Sequence, residues 1–426
     1  MKPMRVRMSG FSNLLTVDEA LERLLEVVKD RKLEVDEVPL EDSVDRVCAE
    51  DLLAPVDIPP FNRSAVDGYA VRYTDVLSAS PSNPVELKIV GVSEAGCDLE
   101  TLPKVNSGEA VEIYTGAPLP FGADSVVMAE FCKRDGDRLW VSKPLTYMQN
   151  VSLKGEDFKA GEIVVARGVK LKSWHIGALA SLGIMTVPVY RRPVVLIAST
   201  GLELKQLESE NHSGKIYDST RPMIKALLKS VNCTVLDLGI LPDEPTQIMK
   251  AVSKHLESVD LAIIIGGTSL GLKDETPEAL NMLEGSKLIF HGVRMRPGKP
   301  TGAYVVKGRP VFMLSGFPVA AFIGFKVFVE PTIHALMNSK PDPQPTVKAY
   351  ITRRLAKPIG VKAYVRVRVY RAQGRFYAEP LRLTGSGILS TLTRGNGILV
   401  LEEEVEGVEE GEAVEVLLTQ AFEEVA

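Results

Sequence analysis

The sequence predicts a multidomain chain of α/β and β units. It should hold a doubly wound parallel sheet, an inserted small β domain and a C-terminal small β barrel or sandwich. Three observations carry this. Between residues 192 and 340, compact apolar runs alternate with helical patterns. Between 61 and 149, short apolar runs are split by Gly, Pro, Asn and Asp. Beyond the Pro-rich stretch Pro341-Asp342-Pro343-Gln344-Pro345, strand-like alternation returns. A length of 426 residues suits such a division, since a domain takes roughly 100–200 residues.

The elements follow in chain order. Thr16-Val17-Asp18-Glu19 reads as a capping box. Behind it Val17, Ala20, Leu21, Leu24, Leu25 and Val28 keep helical spacing, so an amphipathic packing helix should end near Lys29. The runs VELKIVGV, AVEIYTG, DSVVMAEF and DRLWVSK, bounded by turn residues, predict short strands of a β domain over 61–149. Residues 150–191 carry an expected hairpin, GEDFKAGEIVV, and a helix near Ser173–Ser181. If they pack with residues 1–60, the two segments form one elongated, discontinuous N-terminal domain into which the β domain is inserted.

In the 192–340 domain, Val194–Ala198, Val235–Leu238, Leu261–Ile265 and Val311–Leu314 show no polar alternation, as strands buried on both faces do not. Between them lie one helical pattern with Met223, Ile224, Leu227, Leu228 and Val231 and another from Pro245 through Ile248, Val252 and Leu256. Alternating strands and helices imply a parallel sheet, whose ligands bind outside the carboxyl ends of the strands. In the 345–426 domain, Val365, Val367 and Val369 alternate with Arg366, Arg368 and Tyr370, and Gln373-Gly374 supplies a turn.

Composition removes several classes. Fifty Lys+Arg against 55 Asp+Glu, with no basic block, argue against a nucleic-acid partner. Cys48, Cys97, Cys132 and Cys233 form no CxxC pair, and the five histidines form no HExxH helix. Each histidine is therefore expected at the surface or the core edge. The N-terminus lacks the apolar stretch of a signal peptide. The most apolar segment, Val311 to Val329, is broken by Gly316, Pro318, Gly324 and Lys326; it is expected as strand, turn and buried helix, with no membrane span. The expected location is cytoplasmic.

Chemistry is expected in the loops. Gly266-Gly267-Thr268-Ser269-Leu270-Gly271-Leu272-Lys273-Asp274 follows the LAIII run. Its glycines permit close backbone approach, its hydroxyls donate, and Asp274 offers a hard oxygen suited to Mg²⁺. Ser199-Thr200-Gly201-Leu202-Glu203 and Ser315-Gly316-Phe317-Pro318 follow two other strands. In Gly214-Lys215-Ile216-Tyr217-Asp218-Ser219-Thr220, Ser219 or Thr220 is a candidate helix cap, and amides at such a helix start also bind phosphate. Arg294-Met295-Arg296-Pro297-Gly298-Lys299-Pro300 sets three cations in a turn stiffened by proline. No GxxxxGK[ST] sequence occurs, which removes the ordinary nucleotide triphosphatases. Asp67-Gly68 alone is compatible with a plain hairpin turn.

Taken together, PPFNRSAVDGYAV, TGAPLPFGAD, GEDFKAGE, GKIYDST, GGTSLGLKD and RPGKPTG, in this order, resemble the molybdopterin molybdenumtransferase family. The E domain of gephyrin belongs to it. The resemblance implies four domains, with the doubly wound unit binding molybdopterin and a barrel at the C-terminus. It implies a homodimer whose cleft joins the doubly wound domain and barrel of one subunit to the β domain of the other. The implied reaction inserts molybdate or tungstate into adenylylated molybdopterin, releasing AMP, with Mg²⁺. The family's catalytic positions fall on Asp67, Thr115, Asp157, Glu203, Asp243 and Asp274, with Asp243 and Asp274 for the cation and Asp67 and Thr115 arriving across the dimer interface. Pterin and oxyanion contacts fall on Gly266, Gly267, Thr268, Ser269, Asp218, Ser219, Arg296, Lys299 and Pro300, joined by Arg366 and Ser386 of the barrel. The adenylyltransferase that makes the substrate and the enzymes that accept the cofactor are implied partners.

The chain departs from the family pattern at Val66 (usually Met), at Ser315-Gly316-Phe317-Pro318 (usually PGNP), at Thr220 (often Asn) and at Arg296 (often Lys). Arg keeps the charge but offers a fork of donors, which bears on the choice between molybdate and tungstate. Two other functions compete with insertion: adenylylation of molybdopterin, and a non-catalytic dimeric scaffold.

Overall fold

The computed structural model describes residues 14–207, 214–268, 275–382 and 385–425. Helix α1 (Val17–Val28) starts at the expected box: Thr16 Oγ1 accepts the Glu19 amide at 3.1 Å and Glu19 Oε2 accepts the Thr16 amide at 2.9 Å. Its apolar stripe, Val17, Ala20, Leu24 and Val28, joins the main core of the doubly wound sheet. Packing is its role.

Strand Val35–Pro39 pairs antiparallel with Thr186–Tyr190, and Leu52–Leu53 with Ile163–Val165. These ladders join the chain on either side of the β insert. The hairpin expected within GEDFKAGEIVV does not form. Ile163–Val165 finds its partner at Leu52–Leu53 instead, because Asp57 Oδ1 accepts the Ala160 amide at 2.9 Å and Ile58 bridges Phe158. The helix Ser173–Ser181 is present as expected.

The β region is one six-stranded sheet ordered 125–128, 68–71, 109–113, 85–93, 138–141 and 132–135. Gly68 opens a strand rather than a hairpin turn, since a Cβ there would stand 1.9 Å from the Val127 carbonyl oxygen.

The doubly wound sheet contains β1 (Val194–Thr200), β2 (Thr234–Leu241), β3 (Leu261–Ile265), β4 (Ser286–His291), β5 (Gly302–Val306) and β6 (Arg309–Leu314), ordered β2-β1-β3-β6-β5-β4. β2, β1, β3 and β6 run parallel, and they are the four unalternated runs of the sequence. β5 and β4 add an antiparallel edge. Helices α2 (Thr220–Ser230), α3 (Pro245–His255) and α4 (Thr276–Asn281) fill the crossovers. Apolar clusters cover both faces.

The helical stretch Pro318–Leu336 is long and apolar enough to cross a membrane, but 61% of it is buried inside the protein, where Val319, Ile323, Phe325 and Phe328 join the main core. It serves as a core helix.

The tail closes a five-stranded barrel from 346–351, 362–372, 375–382, 397–401 and 413–418. Val365, Val367 and Val369 point into its core. The closed form decides between barrel and sandwich.

Candidate functional site

β1 leads to β2 on one side of the sheet, whereas β3 leads toward β6 on the other. Their carboxyl ends therefore flank a topological switch point, where open α/β sheets bind ligands. A cleft of about 1250 Å³ opens there. Gly266, directly after β3, has φ +98°, and a Cβ would meet the Thr200 carbonyl oxygen at 2.2 Å. Only glycine lets the two strand tips approach this closely.

The cleft gathers Glu203, Asp218, Ser219, Asp243, Gly266, Gly267, Thr268, Arg296, Lys299 and Pro300 from the doubly wound domain, with Arg366 and Ser386 from the barrel. Two seams hold the barrel in place. Met295–Arg296 pairs in parallel with Lys362–Ala363, and the Val319 amide donates to the Ser386 carbonyl at 3.0 Å.

The carboxylates differ in freedom. Asp218 is buried, with Oδ1 accepting the Arg221 amide at 3.1 Å and Oδ2 accepting Arg221 Nε at 3.0 Å. Asp218 thus caps α2, while Ser219, at the N-cap position, makes no side-chain cap bond. Arg221 Nη1 continues to Asp237 Oδ1 at 2.5 Å. Asp243 Oδ1 accepts Thr200 Oγ1 at 2.6 Å. Glu203 is exposed on the rim. Among the described residues, no group of three or more His, Cys, Asp or Glu is placed to hold a metal ion.

The cations are unevenly compensated. Arg296 is exposed and makes no ion pair among the described residues. Arg366 is only 2% exposed. Its Nη1 donates to the Tyr364 carbonyl at 3.0 Å and its Nε to Thr391 Oγ1 at 3.3 Å. Burial, then the neighbouring Arg296, pulls its pKa below the ordinary guanidinium value. Strand alternation turns Arg366 away from the barrel core, but the doubly wound domain covers that outer face. A bound anion would relieve both arginines through charge-assisted hydrogen bonds.

Departures from the family pattern also meet here. Phe317 is 60% exposed on the cleft, and a Cβ on Gly387 of the barrel loop would lie 3.0 Å from its ring. Thr220 Oγ1 donates to the Gly316 carbonyl at 2.7 Å, tying the 315–318 loop to α2.

Other expected site residues lie elsewhere. Asp67, Thr115 and Asp157 are exposed and do not line the cleft. Asp67 and Thr115 do meet: Asp67 Oδ1 accepts the Thr115 amide at 2.7 Å and its hydroxyl at 2.8 Å. Those bonds hold the Asp67 carboxyl below its usual pKa. Ser269 and Asp274 lie outside the described residues.

Residues 15–183 match the MoeA N-terminal region (domains I and II), 196–335 a region described as "Probable molybdopterin binding domain", and 348–419 the MoeA C-terminal region (domain IV). The chain is 33% identical over 415 residues to the molybdopterin molybdenumtransferase of Staphylococcus epidermidis RP62A, covering 96% of this chain and 97% of that one. It is 34% identical over 408 residues to that of Bacillus subtilis 168, covering 95% and 94%. The chain belongs to the MoeA family. The crystal structure of the molybdopterin biosynthesis MoeA protein of Pyrococcus horikoshii OT3 superposes with a TM-score of 0.81 at 33% identity, over 95% of this chain and 100% of that one. In the MoeA frame, the cleft lies where the molybdopterin-binding region meets domain IV.

Sequence reasoning named the loops but passed over Arg221, Thr276 and His291. Arg221 and Thr276 look like ordinary residues of a helix start. His291 ends an apolar strand and reads as a core-edge residue, yet its Nε2 reaches the Thr268 carbonyl at 2.9 Å. The signal was a lone polar ring at the carboxyl end of a strand.

Proposed function

We propose that this chain inserts molybdate or tungstate into adenylylated molybdopterin, releasing AMP and completing the cofactor. One observation supports this most: in a MoeA-family chain, backbone loops, Arg296 and the buried Arg366 converge on one cleft at the sheet's switch point. Arg296, Lys299, Arg366 and Ser386 would meet the oxyanion with charged and hydroxyl donors. Gly266, Gly267, Thr268, Asp218 and Ser219 would seat the pterin side of the substrate.

The hard oxygens of Asp243 suit Mg²⁺, and Asp274, outside the described residues, is the second carboxylate the family pattern offers for it. Such an ion would neutralise charge on the substrate phosphates. Asp218 suits it less, because Arg221 already occupies both its oxygens. On this reading the protein works as a cytoplasmic homodimer, and Asp67, Thr115 and Asp157 complete the cleft of the opposite subunit. The exposed Asp67–Thr115 pair, which does not line its own chain's cleft, supports that arrangement. The adenylyltransferase would supply the substrate and cofactor-dependent enzymes would take the product. The adenylyltransferase and scaffold alternatives are not favoured, since relatives named molybdopterin molybdenumtransferase match nearly the whole chain.

The test mixes purified protein with adenylylated molybdopterin, Mg²⁺ and either molybdate or tungstate, and follows AMP release and metal in the pterin. Oxyanion-dependent AMP release is the expected outcome, and the preferred anion names the cofactor. Folded protein that binds the pterin but releases no AMP with either anion would overturn the proposal.

A further inference from the structure

The stem of the loop after β3 has three consecutive carbonyls tied down. The Gly266 carbonyl accepts Thr276 Oγ1 at 2.9 Å, the Gly267 carbonyl accepts the Thr276 amide at 3.2 Å, and the Thr268 carbonyl accepts His291 Nε2 at 2.9 Å. A carbonyl oxygen only accepts, so His291 carries its proton on Nε2 in this bond. Thr276 is fully buried at the start of α4. His291 ends β4, on the antiparallel edge of the sheet.

These bonds dictate where the amides go. The Gly266–Gly267 and Gly267–Thr268 peptides are trans. In a trans peptide the carbonyl of one residue and the N–H of the next point in opposite directions. Drawing the Gly266 and Gly267 carbonyls toward Thr276 therefore turns the Gly267 and Thr268 N–H groups the other way. Neither donates to any acceptor among the described residues. Both residues line the cleft. Adjacent unpaired amides facing a concavity bind anions.

We propose that Thr276 and His291 are positioning residues for this reaction. Thr276 aims the Gly267 and Thr268 amides at a phosphate group of the substrate. His291 fixes the Thr268 carbonyl, at the end of the Gly-Gly-Thr stem. The substrate's identity rests on the function proposed above, whereas the anion seat does not depend on it. Molybdate is the other oxyanion of the cleft, and the seat is assigned to phosphate because it lies on the loop stem, with the uncompensated Arg296 left to the metal oxyanion.

The test measures binding of inorganic pyrophosphate and of molybdate by calorimetry to the full chain. Thr276→Val keeps shape but loses the hydroxyl donor, and should weaken pyrophosphate binding about tenfold, one hydrogen bond's worth of anion orientation, with molybdate unchanged. Thr276→Ser should restore it. His291→Gln, which keeps an N–H donor, should stay near wild type, while His291→Leu raises KM for adenylylated molybdopterin more than it lowers kcat. Unchanged pyrophosphate affinity in folded Thr276→Val protein, or an unchanged KM in folded His291→Leu protein, would overturn the clamp, as would a wild-type protein that binds no pyrophosphate. Equal losses for molybdate would overturn the phosphate assignment. Wild-type protein that releases no AMP, yet loses pyrophosphate with Thr276→Val, would sink the insertase reading and leave the seat standing.

Discussion

The doubly wound sheet treats charge in opposite ways at its two ends. At the amino end, Asp260 sits just before β3, 2% exposed, and receives Arg191 through two bonds of 2.7 and 2.9 Å, Arg31 Nη2 at 3.1 Å and the Val194 amide at 2.8 Å. Arg309 closes the same end by donating to the Val259 and Glu257 carbonyls. At the carboxyl end, among the described residues, Arg296 has no counter-ion and the Gly267 and Thr268 amides have no acceptor. Donors satisfied within the chain hold the fold, whereas donors left waiting at a cleft cost stability and serve a ligand. Stability and activity should therefore separate cleanly between the two ends.

The largest effect should come from Asp260→Ala, which takes the shared buried carboxylate from Arg191 and Arg31 and leaves them only the exposed Glu34 and backbone carbonyls. Breaking a buried pair costs roughly 3 kcal/mol, read as a fall in the main thermal transition, with KM for both substrates unchanged. The pH dependence has a definite sign. Burial pushes the Asp260 carboxyl up, but the Arg191 bonds, the Val194 amide and the arginine charges outweigh it and leave its pKa below the ordinary value. Its stabilisation is thus complete above the unfolded carboxylate pKa of about 4 and is lost as pH falls through the lower folded value. Asp260→Asn should flatten that acid limb. A wild-type melting temperature for Asp260→Ala would break the contrast.

At the other end, Lys299→Ala should leave the melting temperature within about 1 °C while weakening molybdate use about tenfold, as loss of a charged donor predicts. Pterin binding should suffer less. Equal losses in both would mean that Lys299 serves the whole substrate rather than the oxyanion.

How much of this could be read beforehand follows the same division. The four parallel strands were legible because double-sided burial removes polar alternation, and the Thr16 box because capping chemistry is local. The GEDFKAGEIVV pairing was not legible, since Ile163–Val165 pairs more than a hundred residues back in the chain, at Leu52–Leu53. The cleft loops announced themselves by glycine, hydroxyl and cation content. Arg366 was visible as a residue of an alternating strand, but its burial depends on a second domain covering the barrel's outer face. Arg221, Thr276 and His291 stayed hidden because each acts by bonding a group its sequence neighbours do not reveal. Gly68 taught the reverse lesson: a residue pair suited to a turn opens a strand, because a neighbouring carbonyl leaves no room for a Cβ.

The smallest effect sharpens the contrast most finely. Arg31 shares Asp260 with Arg191, but Arg191 supplies the paired, parallel bonds. Burial, with the charges of Arg309 and Arg191, leaves the Arg31 pKa below its ordinary value despite Asp260, so desolvation offsets part of what the ion pair contributes. Arg31→Met keeps an apolar stem in place and leaves Asp260 with Arg191 and the Val194 amide. The expected cost is about 1 kcal/mol or less, a third of that for Asp260→Ala. Differential scanning calorimetry of the two variants and of the double variant decides the matter. If Arg31→Met costs as much as Asp260→Ala, both arginines are needed to hold one carboxylate, and the amino end is as finely balanced as the cleft. A small cost means that this end carries a spare cation, whereas at the cleft Arg296 has no counter-ion among the described residues.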